Sequence, residues 1–340
     1  MAKSKSSQRE LKLVWQAQLA EYITSIACAN DGRTVVASSA AGEVAYWENQ
    51  QLTMLLDAHG ASVDSLSFDA SSRYLAAGGQ MGDVRVWDCG NGSPELLLSL
   101  AHKSIWVDSI AWHPHAPYLA FATGRFVQIW DIAKRELITT LDFDLSTVFD
   151  LAWHPAGTHL AVAGNLGARI WQSNDWDEEP EYLPANNALK HLAWSIGGDF
   201  LAGATLDRCL VISAIEDFSS TWTMRGFPAR IQQLAWIDKS QPTVAAISAE
   251  MLVSCAYADG TWQAMPLEFH RDFITTMSIH PKFPLIATAS VDGEIAIWEP
   301  EMGVIGSFND SNVEFTRINW HSNDRMLVTG NDRGEVKIWG

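Results

Sequence analysis

Four histidines, His113, His154, His280 and His321, occupy the same slot in fragments that read "AWHP", "AWHP", "SIHP" and "NWHS". Imidazoles in register suggest a metal centre, but zinc needs ligands that converge at about 2.0 to 2.1 Å from one ion. Equivalent turn residues of separate repeats are held apart by the sheets between them, so the favoured reading is that these rings cap turns and that no metal is bound. His115 and His159 fall in the same turns. A second chemical candidate is the acidic stretch "SNDWDEEPEYLP" over 173–184, where Asp175, Asp177, Glu178 and Glu179 surround Trp176. Acid–base catalysis requires carboxylates that converge in a pocket, which consecutive acids on a connection do not indicate. The stretch reads first as a solvated connection and second as a contact loop in which an exposed Trp176 anchors a basic partner. No serine nucleophile elbow, phosphate-cradling glycine loop or cysteine–histidine pattern occurs. The chain is therefore read as a non-enzyme without a cofactor, although a site assembled from several repeats would leave no local motif.

The elements that carry these residues repeat. Trp112 and Trp153 close "IAWHP" and "LAWHP", and steps of about 41 residues reach Trp194, Trp236, Ile279 and Trp320 forwards and Phe68 and Cys28 backwards, with gaps of 40, 44, 41, 41, 42, 43 and 41. A second series runs through Trp47, Trp87, Trp130, Trp171, Ile212, the region of Ser254, Trp298 and Trp339. Both series give eight repeats. Within a repeat, segments such as "PLIATAS" and "GEIAIW" are short, β-branched and bounded by turns, which is strand character. Gly42, Gly82, Gly293 and Gly334 each precede a closing Trp by five residues, at a turn that calls for positive φ. Four short strands per period predict an all-β, closed β-propeller of eight four-stranded blades, with seven blades as the alternative. The chain ends one strand short, while a spare strand, "LKLVWQAQL" over 11–19, precedes the first repeat. Pairing that N-terminal strand with the last blade would close the ring.

Composition narrows the partners. With 23 basic against 40 acidic residues, the formal charge of -17 repels nucleic-acid backbones and anionic membrane surfaces. No run of 18 apolar residues occurs, so no membrane span is expected. Residues 1–10 read as a disordered tail and 11–340 as a single propeller domain. Cys28, Cys89, Cys209 and Cys255 are scattered singly, as reduced thiols of a cytoplasmic protein would be.

These residues resemble the WD40 repeat family over roughly 11–340. "IATASVDGEIAIWEP" and "RYLAAGGQMGDVRVWDCG" are similar to the family's closing strand pair, and the Trp-Asp dipeptide stands at Trp87-Asp88 and Trp130-Asp131. The resemblance implies one complete buried polar tetrad, His270, Thr288, Asp292 and Trp298. It also implies that Tyr22, Trp106, Asp108, Phe149, Lys190, Arg230, Phe273 and Glu314 face the top of the ring, where partners bind. The reading that follows is a scaffold for a protein or peptide, either a monomer or a subunit of a hetero-complex. Two alternatives stand beside it: an enzyme or small-molecule or metal binder that uses the central channel, and a structural subunit of a multiprotein complex.

Overall fold

A computed structural model describes residues 11–102, 105–237, 241–311, 313–323 and 325–340. The tail expected over 1–10 lies outside the described residues. The seventh repeat shows how sequence becomes blade. Its segments form four antiparallel strands, Ile274–Ile279, Ile286–Ser290, Glu294–Glu299 and Gly303–Asn309, paired in chain order. The second strand, "IATAS", is buried at every position, because neighbouring blades cover both of its faces. The fourth strand forms the outer edge and is largely half-buried. Eight such four-stranded sheets are present, and no helix occurs among the described residues.

Ring closure is visible in the core and in the ladder. Eight apolar clusters lie between neighbouring blades, and one of them joins Val328 and Ile338 of the last blade to Ile23, Val35 and Trp47 of the first. The spare strand, Leu13–Gln18, pairs antiparallel with Glu335–Trp339, matching Ala17 to Val336. Lys12 and Gly340 exchange backbone hydrogen bonds of 2.9 and 3.0 Å. The last sheet therefore has its fourth strand from the other end of the chain.

The Trp that ends the inner strand in five blades is more than an apolar knob. Its indole Nε1–H donates to the preceding blade, at the carbonyl of the residue just before that blade's own marker. Trp112 reaches Ser67 O at 3.0 Å, Trp153 Ala111 O at 3.2 Å, Trp194 Ala152 O at 3.1 Å, Trp236 Ala193 O at 2.9 Å and Trp320 Ser278 O at 3.2 Å. The three interfaces whose marker is Cys28, Phe68 or Ile279 lack this donor. Other side chains link them: Asn319 Nδ2 donates to Ile26 O at 3.1 Å, Ser38 Oγ to Val63 O at 2.8 Å, and the Gln233 amide exchanges two 2.9 Å bonds with the Met277 backbone.

The histidine slot is built from the same logic. Nδ1 of His113 accepts the N–H of Ala116 at 3.0 Å and Nδ1 of His280 accepts that of Lys282 at 3.0 Å, so each ring caps its own turn. In blades 3 and 4, Nε2 then lies 3.1 and 3.2 Å from the carbonyls of Gly157 and Gly198 in the following blade. Accepting at Nδ1 fixes the Nε2–H tautomer, so these rings donate across the interface. At the opposite end of the blades, Gly82 and Gly293 have φ of 77° and 79°. A Cβ there would lie 2.3 Å from the His102 or Asp310 carbonyl oxygen.

Blades 5 and 6 correct the second marker series. Leu201 pairs with Ser213 and Val244 with Cys255, the same match that Leu160 makes with Trp171. The positions equivalent to the closing Trp are thus Ser213 and Cys255, one residue beyond Ile212 and Ser254. A one-residue slip moves a strand side chain to the other face. In blade 6 the missing indole is replaced from the outer strand by Trp262, which joins Phe200, Trp222, Trp236 and Tyr257 in one aromatic group with centroid distances of 5.1 to 6.2 Å. In blade 5 it is Phe218 of the outer strand that fills the face toward blade 4, edge-on to Trp194 at 6.0 Å.

Candidate partner-binding face

One end of the ring, here the upper face, carries the turns between second and third strands together with the connections that lead into each inner strand. Backbone bonds tie the two sets, such as His102 N to Gly82 O at 2.8 Å and Asp310 N to Gly293 O at 2.9 Å. In six blades the pairing shifts just inside that end, around Thr24, Asp64, Lys190, Gln232, Thr275 and Thr316. Such bulges re-aim side chains and are common next to functional sites.

The rim residues divide by exposure. Tyr22, Trp106 and Phe273 are 48%, 59% and 53% exposed, large aromatic surface for a single face. Asp108, Arg230 and Glu314 are also exposed. Phe149 departs from the other rim aromatics: it is half-buried, with the Lys190 ammonium 5.2 Å from its ring centroid, a cation–π contact that fixes both. Asp108 makes no hydrogen bond or ion pair among the described residues. Partial desolvation by its neighbours, helped by nearby Asp64 and opposed by Lys190, holds its carboxyl above the usual range. Met81, on the upper turn of blade 2, and Ile105, beside Trp106 on the way into blade 3, are exposed as well, and sequence reasoning assigned neither to the rim.

Polar groups of the inner strands are largely spent between blades. Asp150 accepts the Leu192 N–H at 2.8 Å and its own neighbour's, Leu151, at 2.9 Å. Burial nevertheless pushes its carboxyl up to about 6. Arg317 has no carboxylate within ion-pair distance among the described residues, and burial lowers its pKa against the opposing pull of Asp64 and Tyr22.

The tetrad forms only in part. Trp298 Nε1 donates to Thr288 Oγ1 at 2.7 Å, and His270 Nε2 lies 2.7 Å from the same oxygen. Asp292 instead accepts from Ser290 Oγ and from Glu294 N at 3.1 Å, and His270 Nδ1 is buried without a partner. His270, Asp292 and Glu294 form the one group among the described residues with metal-ligand spacing, their donor atoms within 4.8 Å of one another. Thr288 already accepts from the indole, so its own proton is best placed at the nearby Nε2. Neutral His270 then carries its proton on Nδ1, the atom that is buried without a partner. Blade 8 keeps half of this network, Trp339 Nε1 to Thr329 Oγ1 at 2.9 Å, with Phe308 against the indole at 4.9 Å.

The acidic loop lies at the other end of the ring, the lower face, where Ser173 N donates to Thr158 O at 2.9 Å. Asp175, Asp177, Glu178 and Glu179 are exposed. Trp176 is not the exposed anchor that its neighbours suggest. It is half-buried and stands edge-on to Trp153 at 5.9 Å, because the loop folds its one large apolar side chain back onto the blade.

Comparison with known proteins agrees with this architecture. The family model described as "WD domain, G-beta repeat" matches residues 50–88, 94–131, 135–172, 263–299 and 304–340, more than half of the chain. Blades 5 and 6, which lack the closing Trp, are largely outside the matches. The chain is similar to the small ribosomal subunit protein RACK1 of Medicago sativa, 29% identical over 102 residues and 30% of each chain. It is similar to Transducin beta-like protein 3 of Mus musculus, 32% identical over 142 residues, 38% of this chain and 16% of that one. It also matches WD repeat and HMG-box DNA-binding protein 1 of Xenopus laevis, 32% identical over 99 residues, 27% of this chain and 9% of that one. The chain thus spans less than a third of the length of these relatives. Five matched repeats on an eight-bladed ring establish that the chain belongs to the WD40 repeat family.

Proposed function

We propose that this propeller is a rigid scaffold that engages a protein or peptide through its upper face. The observation that carries the reading is the exposure of Tyr22, Trp106 and Phe273 at equivalent places on three blades, in the connections that lead into the inner strands. Aromatic rings on a stiff frame lose little entropy on binding and serve as interface anchors. Asp108, Lys190, Arg230 and Glu314 give the same face a charged rim of both signs, and half-buried Phe149 supports it from beneath Lys190.

The charge of -17 argues against nucleic acid as the ligand, although the Xenopus relative carries DNA binding in its name. Among the described residues no helix is long and apolar enough to cross a membrane. Four free thiols suit a cytoplasmic location. No catalytic role is part of this reading.

The test is capture of partners from native lysate by the full chain and by a Tyr22→Ala, Trp106→Ala, Phe273→Ala variant with an unchanged circular dichroism spectrum. Partners specific to the unaltered chain and lost by the variant support the reading. Identical capture by both moves recognition away from the upper face.

A further inference from the structure

We infer that the lower corner between blades 3 and 4 is a second docking site, which takes a partner segment carrying an apolar side chain flanked by lysine or arginine. A cavity of about 340 Å³ opens there, lined by Tyr118, Leu137, Ile138 and Trp176 among others. That volume falls in the range of ligand-sized clefts. Leu137 and Ile138 start the outer strand of blade 3, Glu136–Asp142, and are 46% and 38% exposed.

The opposite wall is held in place before any partner arrives. Trp176 stands edge-on to Trp153 at 5.9 Å, Trp153 edge-on to His113 at 4.8 Å, and His113 Nε2 is fixed 3.1 Å from Gly157 O. Ser173 Oγ donates to the same carbonyl at 2.7 Å and pins the start of the loop. A pre-formed wall reduces the ordering cost of binding.

Charge selects the occupant. Asp175, Asp177, Glu178, Glu179 and Glu181 crowd the loop, and none has a cation within ion-pair distance among the described residues. Glu181 is held above the usual carboxylate range by burial and then by the charge of Glu178, as expected of acids without counter-ions. Of the nearby cations, Lys134 is already bound to Asp131 at 3.0 Å. An acidic segment is therefore repelled at this corner, a neutral one gains nothing from the charge, and a basic one is attracted to it. The site is on the opposite face from the upper rim and does not depend on that reading.

The experiment uses the full chain and a fluorescein-labelled peptide with one phenylalanine between two pairs of lysines, followed by anisotropy. Control peptides replace the phenylalanine with serine, or the lysines with glutamates. The expected result is binding of the first peptide only, weakened at least tenfold by Ile138→Asp and separately by the pair Glu178→Lys and Glu179→Lys. All three are exposed positions whose replacement leaves the core intact. The upper-rim triple variant should bind as the unaltered chain does. Equal binding of the serine peptide would mean plain attraction to net charge and would overturn the inference. So would absence of binding, indifference to both lower-corner variants, or loss in the upper-rim variant alone.

Discussion

Replacing Trp194 with phenylalanine tests whether the recurring indole holds the ring by its shape or by its N–H. Trp194 is 7% exposed, donates to Ala152 O at 3.1 Å, and packs against His154 at 4.9 Å and Phe218 at 6.0 Å. Trp194→Phe keeps an aromatic ring but leaves the Ala152 carbonyl without its donor, a loss of about 1 kcal/mol. The smaller ring leaves a void worth about 1 kcal/mol more. For 340 residues the unfolding entropy near the midpoint is about 0.7 kcal/mol per kelvin, so a loss of about 2 kcal/mol lowers Tm by about 3 °C. Phe68→Leu is the control, since Phe68 fills the same knob position in blade 2 without any N–H. Its expected cost is about 1 kcal/mol, the packing part alone. Both variants are compared by urea denaturation followed by far-ultraviolet circular dichroism. If Trp194→Phe costs no more than Phe68→Leu, the indole acts by shape only and the hydrogen-bonded staple is refuted.

Three further outcomes follow from the same contacts. Burial holds His270 at about 4, below its ordinary 6.5, while Asp292 pulls the other way and Arg271 and Glu294 lie beside it. The folded state thus resists a proton that the unfolded chain accepts, and stability is lost as pH falls from about 6.5 to about 4, by about 2 kcal/mol at pH 5. Subtracting the urea midpoints of His270→Gln from those of the unaltered chain isolates this share and cancels Asp150, whose raised pKa acts in the opposite direction; a difference constant from pH 7 to pH 5 would contradict it. Gly293→Ala places a Cβ 2.3 Å from Asp310 O at a φ of 79°, and should cost about 2 kcal/mol in the same assay, with a cost under about 0.5 counting against the tight turn. Deleting residues 1–19 bares the Glu335–Trp339 edge and should produce dimers or larger species in light scattering, whereas a stable monomer would show that the ring closes without that strand.

The count of eight blades was legible because a structural job repeats at a fixed interval. In five blades the inner strand ends in an indole that reaches the previous blade, and Trp112, Trp153, Trp194, Trp236 and Trp320 mark it at multiples of one spacing. The closing strand was legible from arithmetic, one strand missing at the end and one spare at the start. What the pattern did not reveal is the direction of forces between blades. The indole hydrogen bonds run to a backbone carbonyl about 42 residues away, and nothing local announces an acceptor with no side-chain identity. Blade 5 was misread by one residue, and blade 6 placed only by region, for a related reason: Phe218 and Trp262 supply the bulk from the outer strands, so the closing positions could shrink to Ser213 and Cys255. Trp176 was misjudged because an acidic neighbourhood describes the loop's solvent side, while the indole answers to Trp153 beneath it.

Backbone acceptors also explain how so divergent a repeat keeps one shape. When a blade is held to its neighbour through a carbonyl oxygen, the neighbour's side chains are free to change without breaking the link. The tetrad, which needs four particular side chains in one blade, is accordingly reduced to three linked members in blade 7 and two in blade 8, while every blade interface retains some cross-blade link. Freedom from that constraint is greatest at the shifted pairings of the upper rim and in the lower connections, where neither ladder nor staple depends on residue type. Tyr22 and Phe273 stand exposed beside shifted pairings, Trp106 in the connection that leads into blade 3, and the loop around Trp176 gathers its carboxylates in a lower connection. A frame stapled through its backbone can thus carry two chemically different surfaces, an aromatic rim above and an acidic corner below, without either one disturbing the fold that presents it.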